Sequence, residues 1–241
     1  MTGGSQPTPG APGLAPSALQ AELAEDVYQR LLACYGPQGW WPGVSAVMAP
    51  SPFEVMVGAI LAQNTAWTNA ARAVAGLQAA ECLSATAILA CPEAELAELL
   101  RPSGYFNIKA ARLRAFCQWY ARQGEIAALQ AWPTPALRAA LLAIRGIGPE
   151  TADSILLYAL HRPIFVIDAY TKRLFARLGA CAANIAYETL RARFEAILPT
   201  DVALFNEYHA LIVRHGSSVC RPRPHCDTCW LSARCSRWDV T

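Results

Sequence analysis

The chain has 241 residues, 54% of them apolar and 16% charged, with a net charge of +2. That is enough to bury a substantial core, in one domain or in two closely packed lobes. No uninterrupted apolar run reaches eighteen residues, which argues against a membrane-spanning helix.

The first 17 residues, MTGGSQPTPGAPGLAPS, carry no charge and no apolar block, which predicts a disordered tail and not a signal peptide. Beyond them the pattern is helical and the expected fold class is all-α. Leu19, Leu23, Val27 and Leu31 mark one face of a first helix, with Gly36 just past its end. Next comes GWWPGVSAVMAPSPFEVMVGAILAQNT, where Trp40 and Trp41 adjoin Pro42 and Phe53 follows. Aromatic rings beside a cleft can sandwich a flat base, and their π faces attract a cation by about 2 kcal/mol when desolvated. The same residues serve equally well as core aromatics. Ser51, Pro52 and Glu54 form a capping box that opens a helix toward Gln63.

Further helices are expected over residues 66–80, 84–100, 107–122, 134–144, 149–160, 169–178, 186–198 and 201–216. The stretch LLAIRGIGPETADSILLYAL, residues 141–160, reads as helix, Gly146-Ile147-Gly148 turn, helix. Two glycines one residue apart let backbone amides approach an anion, and the second helix adds the positive end of its dipole. This matches a helix-hairpin-helix gripping a DNA phosphate without reading sequence; a plain αα-hairpin with a glycine turn is the alternative. The run IFVI, residues 164–167, is the one strand-like segment, too isolated to found a sheet. Asp168 follows it at a helix start, where Asp is also a favoured N-cap.

Near the C-terminus Cys220, Cys226, Cys229 and Cys235 lie within sixteen residues, with gaps of five, two and five. Four thiolates on so short a loop can converge on one soft metal centre and suit a [4Fe-4S] cluster. A structural zinc more often takes two CxxC pairs, of which one is present, and disulfides need an oxidising compartment. Cys34, Cys82, Cys91, Cys117 and Cys181 are scattered among apolar residues and read as reduced core thiols, in keeping with the cytoplasm. Between residues 214 and 237, Arg214, Arg221, Arg223, Arg234 and Arg237 outweigh Asp227 to give +4, leaving −2 for the rest. Positive charge concentrated on the cysteine loop suggests contact with phosphates, though an arginine run can also be a solvated face.

The hairpin, the Asp about twenty residues after it and the four-cysteine loop together resemble the endonuclease III branch of the helix-hairpin-helix DNA glycosylases, from about residue 20 to residue 238. The resemblance implies two helical lobes, 18–50 with 164–241 and 51–163, the first carrying the cluster loop (214–238) and the second the hairpin (141–160). The target base would be flipped into the cleft between them, because its glycosidic carbon is unreachable inside a stacked duplex. Asp168 then corresponds to the catalytic carboxylate that stabilises an oxocarbenium-like sugar and helps activate water. Gly146, Ile147 and Gly148 would hold DNA phosphate, Arg221 and Arg223 of the cysteine loop would also contact DNA, and Gln63 would fill the space left by the flipped nucleotide.

Endonuclease III carries a lysine two positions after the second hairpin glycine; here that position is Glu150. A carboxylate cannot form a Schiff base, so a monofunctional glycosylase is expected. Of the two lysines, Lys109 and Lys172, the second lies four residues after Asp168 and is expected to pair with it along the helix. Glu150 itself is expected only to complement the start of its helix. The Trp-Trp-Pro segment, RPSGYFNIKAARL and the hairpin are in turn similar to type III 3-methyladenine DNA glycosylases, which places Trp40, Trp41, Pro42 and Phe53 around the base. The chain departs from that pattern by having a cysteine loop, and from endonuclease III by a first cysteine gap one residue shorter.

The expected activity is therefore removal of alkylated purines such as 3-methyladenine from damaged double-stranded DNA. An endonuclease III-like glycosylase for oxidised or mismatched pyrimidines and a non-catalytic iron-sulfur DNA-binding protein are the alternatives. One [4Fe-4S] cluster, a monomer and a cytoplasmic, nucleoid-associated location complete the expectation.

Overall fold

A computed structural model of the chain describes residues 19–41 and 49–236. The expected tail, Pro42 and Arg237 lie outside them. Among the described residues the chain is helical and has no strand, and no helix is long and apolar enough to cross a membrane.

Helix α1 (Ala21–Tyr35) buries Ala24, Val27 and Leu31, the face its periodicity marks, and stops at Gly36, whose φ is 67°. Helix α2 (Pro52–Leu61) opens as the capping motif requires, the Ser51 hydroxyl accepting the Glu54 amide at 3.1 Å. It is apolar all round and buried from Val55 to Leu61, as befits a central helix. Helix α3 (Trp67–Ala79) follows. The single helix expected over 84–100 is two, α4 (Ala85–Ala90) and α5 (Glu93–Leu100). Pro92 breaks it: proline offers no amide to the ladder and drives the residue before it out of the helical region, and Cys91 has φ −64° and ψ 132°.

Helix α6 (Phe106–Gln123) matches its expectation, but α7 (Glu125–Gln130), set off by Gly124 at φ 86°, was not foreseen. Helix α8 (Thr134–Leu142) leads through the glycine turn into α9 (Pro149–Ser154), which continues as a π-helical turn, Ile155–Ala159. The last three helices are α10 (Ala169–Arg177), α11 (Tyr187–Ile197) and α12 (Val202–Ser218). The IFVI run is extended and buried but pairs with no strand. Side chains take its amides instead, Glu195 Oε1 that of Phe165 at 3.0 Å and Tyr187 Oη that of Ile167 at 3.4 Å, as buried backbone donors require.

Helix α2 packs on α3, α6, α9 and the π turn, while α12 packs on α1, α10 and the same π turn. The segment Ile155–Ala159 thus bridges two helix groups. In the second group Phe165 stacks on Phe194 with centroids 4.2 Å apart, ringed by Phe175, Phe205 and Tyr208. Asp153, fully buried on α9, is held by Arg138 from α8 at 2.6 and 3.0 Å and by the Tyr187 hydroxyl from α11 at 2.8 Å. Those bonds tie the second hairpin helix to α8 and α11, and the same Tyr187 hydroxyl accepts the Ile167 amide just before Asp168.

Candidate active site

Asp168 is both the N-cap of α10 and a buried carboxylate, 7% exposed. Its Oδ1 accepts the Thr171 amide at 2.6 Å and the Thr171 hydroxyl at 2.7 Å. Its Oδ2 faces His209 Nε2 of α12 at 3.6 Å, beyond hydrogen-bond length but well within range of charge attraction. Burial pushes the carboxyl up; His209 opposite it and the two Thr171 donors outweigh that and hold it below the usual carboxylate value. The expected pair with Lys172 does not form: among the described residues Asp168 has its ion-pair contact with His209. A cap residue turns its side chain back onto the first amides of the helix, so the i,i+4 geometry of a helix interior does not apply to it.

Glu150 sits in the first turn of α9. Its side chain is open to solvent yet walled by protein, and that crowding, with the charge of Asp168 second, raises its carboxyl to about 7 against the pull of His209 and Lys172. It therefore does more than complement a helix dipole: it stands within electrostatic reach of the catalytic candidate. Lys109 is buried and its ammonium is engaged. Only 1% exposed, it donates to the carbonyls of Leu61 at 2.8 Å and Ser103 at 2.5 Å, tying the end of α2 to the turn before α6.

The aromatic residues divide. Trp41 meets Trp40 at 5.7 Å, Trp67 at 4.7 Å and Tyr158 at 5.1 Å between ring centroids, and it lies over Gly58, where a Cβ would come within 3.2 Å of the indole. Phe53 instead packs with Tyr120 at 5.2 Å and Phe116 at 6.5 Å on α6. The Tyr158 hydroxyl bonds His209 Nδ1, so the indole cluster connects through one tyrosine and one histidine to Asp168.

Gln63 is folded against the hairpin. Its Nε2 donates to the Gly146 carbonyl at 3.0 Å and the Thr151 hydroxyl at 2.9 Å, and its Oε1 accepts from Arg112. Gly146 has φ 89°, and a Cβ there would overlap the Arg112 side chain. Ile147 is buried and spends its amide on the Ile144 carbonyl at 3.0 Å. Gly148 caps α9 beside open space.

Further along the chain, Cys220, Cys226, Cys229 and Cys235 line one cavity with Leu174, Leu178, Val219, Leu231, Arg177 and His215. Arg177, buried at 3% exposure, shapes the loop by donating to the carbonyls of Arg221 at 2.7 Å and Pro222 at 3.1 Å. His215 binds the Tyr35 hydroxyl at 2.9 Å and lies 3.6 Å from Cys229 Sγ; burial lowers it to about 4, so the ring is neutral. Burial also raises the Cys229 thiol, and Cys220, Cys235 and Cys226 raise it further, so the four thiols feel one another. Among the described residues no three His, Cys, Asp or Glu side chains are gathered to hold a metal ion. Arg214, Arg221, Arg223 and Arg234 are all exposed around this loop.

Comparison with known proteins decides the family. Residues 57–200, more than half the chain, match the HhH-GPD superfamily of base excision DNA repair proteins. The chain belongs to that superfamily. A Methanocaldococcus jannaschii protein provisionally named a DNA repair glycosylase is 44% identical over 218 residues, 89% of this chain and 96% of that one. Among solved structures, a non-covalent endonuclease III–DNA complex superposes with a TM-score of 0.74 at 19% identity, covering 91% of this chain and 96% of that one. The H. pylori 3-methyladenine DNA glycosylase bound to 1,N6-ethenoadenine gives 0.65 at 26% identity, covering 82% and 97%. This HhH-GPD chain is accordingly a DNA glycosylase of base excision repair.

Within the HhH-GPD frame, sequence reading missed His209, Tyr158, Thr171 and Trp67. His209 and Tyr158 sit in apolar helical stretches, where a polar residue looks like a core residue that has found a partner. Thr171, three residues after a candidate N-cap, carried a usable signal, since an N-cap side chain bonds the amide at that spacing.

Proposed function

We propose that this chain is a monofunctional glycosylase that hydrolyses the N-glycosidic bond of alkylated purines such as 3-methyladenine in duplex DNA. The observation that carries the reading is the pairing of a buried, ionised Asp168 with Glu150, a carboxyl group standing where a lyase would hold an amine. Asp168 would stabilise positive charge on the sugar as the base leaves and orient water toward it. Glu150 cannot form an imine and Lys109 is engaged by two carbonyls, which leaves Lys172, near enough to Glu150 to lower its carboxyl, as the lysine any residual lyase step would use. The Trp40, Trp41 and Trp67 rings, ending on Tyr158 beside the carboxylate, offer π faces to a cationic purine; Pro42 and Phe53 are assigned to the same pocket by resemblance.

The cleft would lie between residues 18–50 with 164–241 on one side and 51–163 on the other, a division supported by the two helix groups that share the π turn. Gly146, Ile147 and Gly148 would approach backbone phosphate, with Arg221 and Arg223 extending the contact. Gln63 would act as the wedge after exchanging its hairpin bonds for the duplex interior. The four cysteines would hold one [4Fe-4S] cluster. Their shared, apolar-walled cavity suits thiolates that each bind a different iron, whereas a tetrahedral zinc needs all four sulfurs at about 2.3 Å from one point. Bound there, the cluster would shape the basic loop and take no redox part in hydrolysis. A monomer acting on DNA completes the reading.

A second reading, an endonuclease III-like enzyme for oxidised or mismatched pyrimidines, is favoured by the cysteine loop. Base release from duplexes carrying 3-methyladenine or thymine glycol, scored with and without alkali, separates them. The expected result is free 3-methyladenine with strand breaks only after alkali. Thymine glycol release would favour the second reading, and strand breaks without alkali would overturn the monofunctional assignment. Release of neither base would point to the non-catalytic alternative.

A further inference from the structure

We infer that His209 is the positioning residue of this site: it orients and charges Asp168 through the Oδ2 that Thr171 leaves free, and Tyr158 sets the ring that does so. The inference rests on the proposed role of Asp168.

His209 is 6% exposed, and its Nε2 is a buried nitrogen without a hydrogen-bond partner. Such a group is destabilising unless something compensates it. The nearest charge is Asp168 Oδ2, at 3.6 Å. Both Thr171 donors act on Oδ1, so the two carboxylate oxygens are served from opposite sides. The other ring nitrogen, Nδ1, is taken by the Tyr158 hydroxyl.

That arrangement directs the ring in either charge state. In the neutral ring, a Tyr158 hydroxyl donating to Nδ1 leaves the proton on Nε2, facing Asp168. In the charged ring both nitrogens carry protons, and Nδ1 donates to the tyrosine oxygen. The N–H dipole or charge points at Oδ2 each time. The separation suits catalysis, because a full hydrogen bond would occupy the lone pairs that the sugar cation or its water needs, while 3.6 Å supports the charge and leaves them available.

The other groups facing this pair are Glu150 from α9, Tyr158 from the π turn, Lys172 on α10 and Glu207 on α12. Asp168 raises the Glu150 carboxyl, and His209 and Lys172 lower it. Because the Tyr158 ring also touches Trp41 at 5.1 Å, a base stacked on the indoles would bear on the tyrosine that holds the histidine.

The test is single-turnover excision across pH by wild type, His209→Gln, His209→Leu and Tyr158→Phe, on whichever of the two lesion duplexes the wild type cuts. Activity needs ionised Asp168 and fails as pH falls through its pKa, so loss of His209 moves the acid limb to higher pH. His209→Leu is expected to lose on the order of 10²-fold in rate at neutral pH with duplex affinity unchanged. His209→Gln, which keeps an N–H donor, recovers roughly tenfold of that, and Tyr158→Phe loses less than His209→Leu. Carbon-13 NMR titration of the Asp168 carboxyl in the wild type and His209→Gln reads the same coupling without turnover and survives a Leu variant that fails to fold.

A Gln-variant profile and titration that superimpose on wild type after scaling would overturn the inference and leave His209 a packing residue. Full activity of Asp168→Asn would instead overturn the reading on which it rests.

Discussion

Asp168 caps α10 and is the proposed catalytic carboxylate, and one substitution separates the two roles. Asn caps a helix about as well as Asp, so Asp168→Asn should preserve the fold and the affinity for lesion duplex while lowering base release by at least about 10²-fold. Gel-shift and single-turnover assays on the same preparation check both halves. Glu150 makes a pH prediction. Its folded-state carboxyl is raised to about 7 from 4.5, so between those values the folded chain holds a proton that the unfolded chain releases, and its contribution to stability is lost as pH rises. The melting temperature of Glu150→Gln should therefore gain on wild type from pH 5 to pH 8; parallel melting curves would refute the raised carboxyl. That Asp168 starts a helix was legible from its place after the IFVI run. The crowding of Glu150 was not, because its causes come from α10 and α12.

At the scale of elements, the glycine turn contains two glycines with different duties. Gly146 needs its left-handed φ of 89° and the space that Arg112 occupies, so Gly146→Ala should destabilise by more than about 1 kcal/mol in urea denaturation. Gly148 has φ −91° and open space where a Cβ would go. Gly148→Ala should leave stability within about 0.5 kcal/mol, and any loss of duplex affinity would then report backbone approach to phosphate. Helix existence was readable wherever apolar spacing was regular, as in α1 and α6. The break at Pro92 was also readable, because proline offers no amide and drives the residue before it out of the helical region. The helix at Glu125–Gln130 is a bare six residues, too short for periodicity to declare itself.

For the whole molecule, the cysteine loop and its arginines carry +4 over residues 214–237 in a chain of +2. If one cluster shapes that loop, purified protein carries about four irons and a broad visible absorption. Cys226→Ser should then bleach it, lower the melting temperature, weaken duplex binding and flatten its dependence on salt. Stoichiometric zinc in a colourless wild-type protein would refute the cluster. Arg177 belongs to the same unit, since its guanidinium bonds the carbonyls of Arg221 and Pro222, so the loop is held from α10, the helix that Asp168 starts.

By itself the sequence determined what depends on neighbours along the chain: helical periodicity, the Ser51 cap, the glycine turn, the cysteine spacing, and the absence of an amine at position 150. These are local because hydrogen-bond ladders, backbone torsions and short-loop geometry act over a few residues. Tertiary structure alone decided who faces whom. It gave Asp168 a histidine from 41 positions away in place of the lysine four residues on, sent Phe53 to α6 while bringing Trp67 to Trp41, and set Gln63 on the hairpin. Those pairings follow from burial, which compels each polar group to find whatever partner the packed helices bring to it.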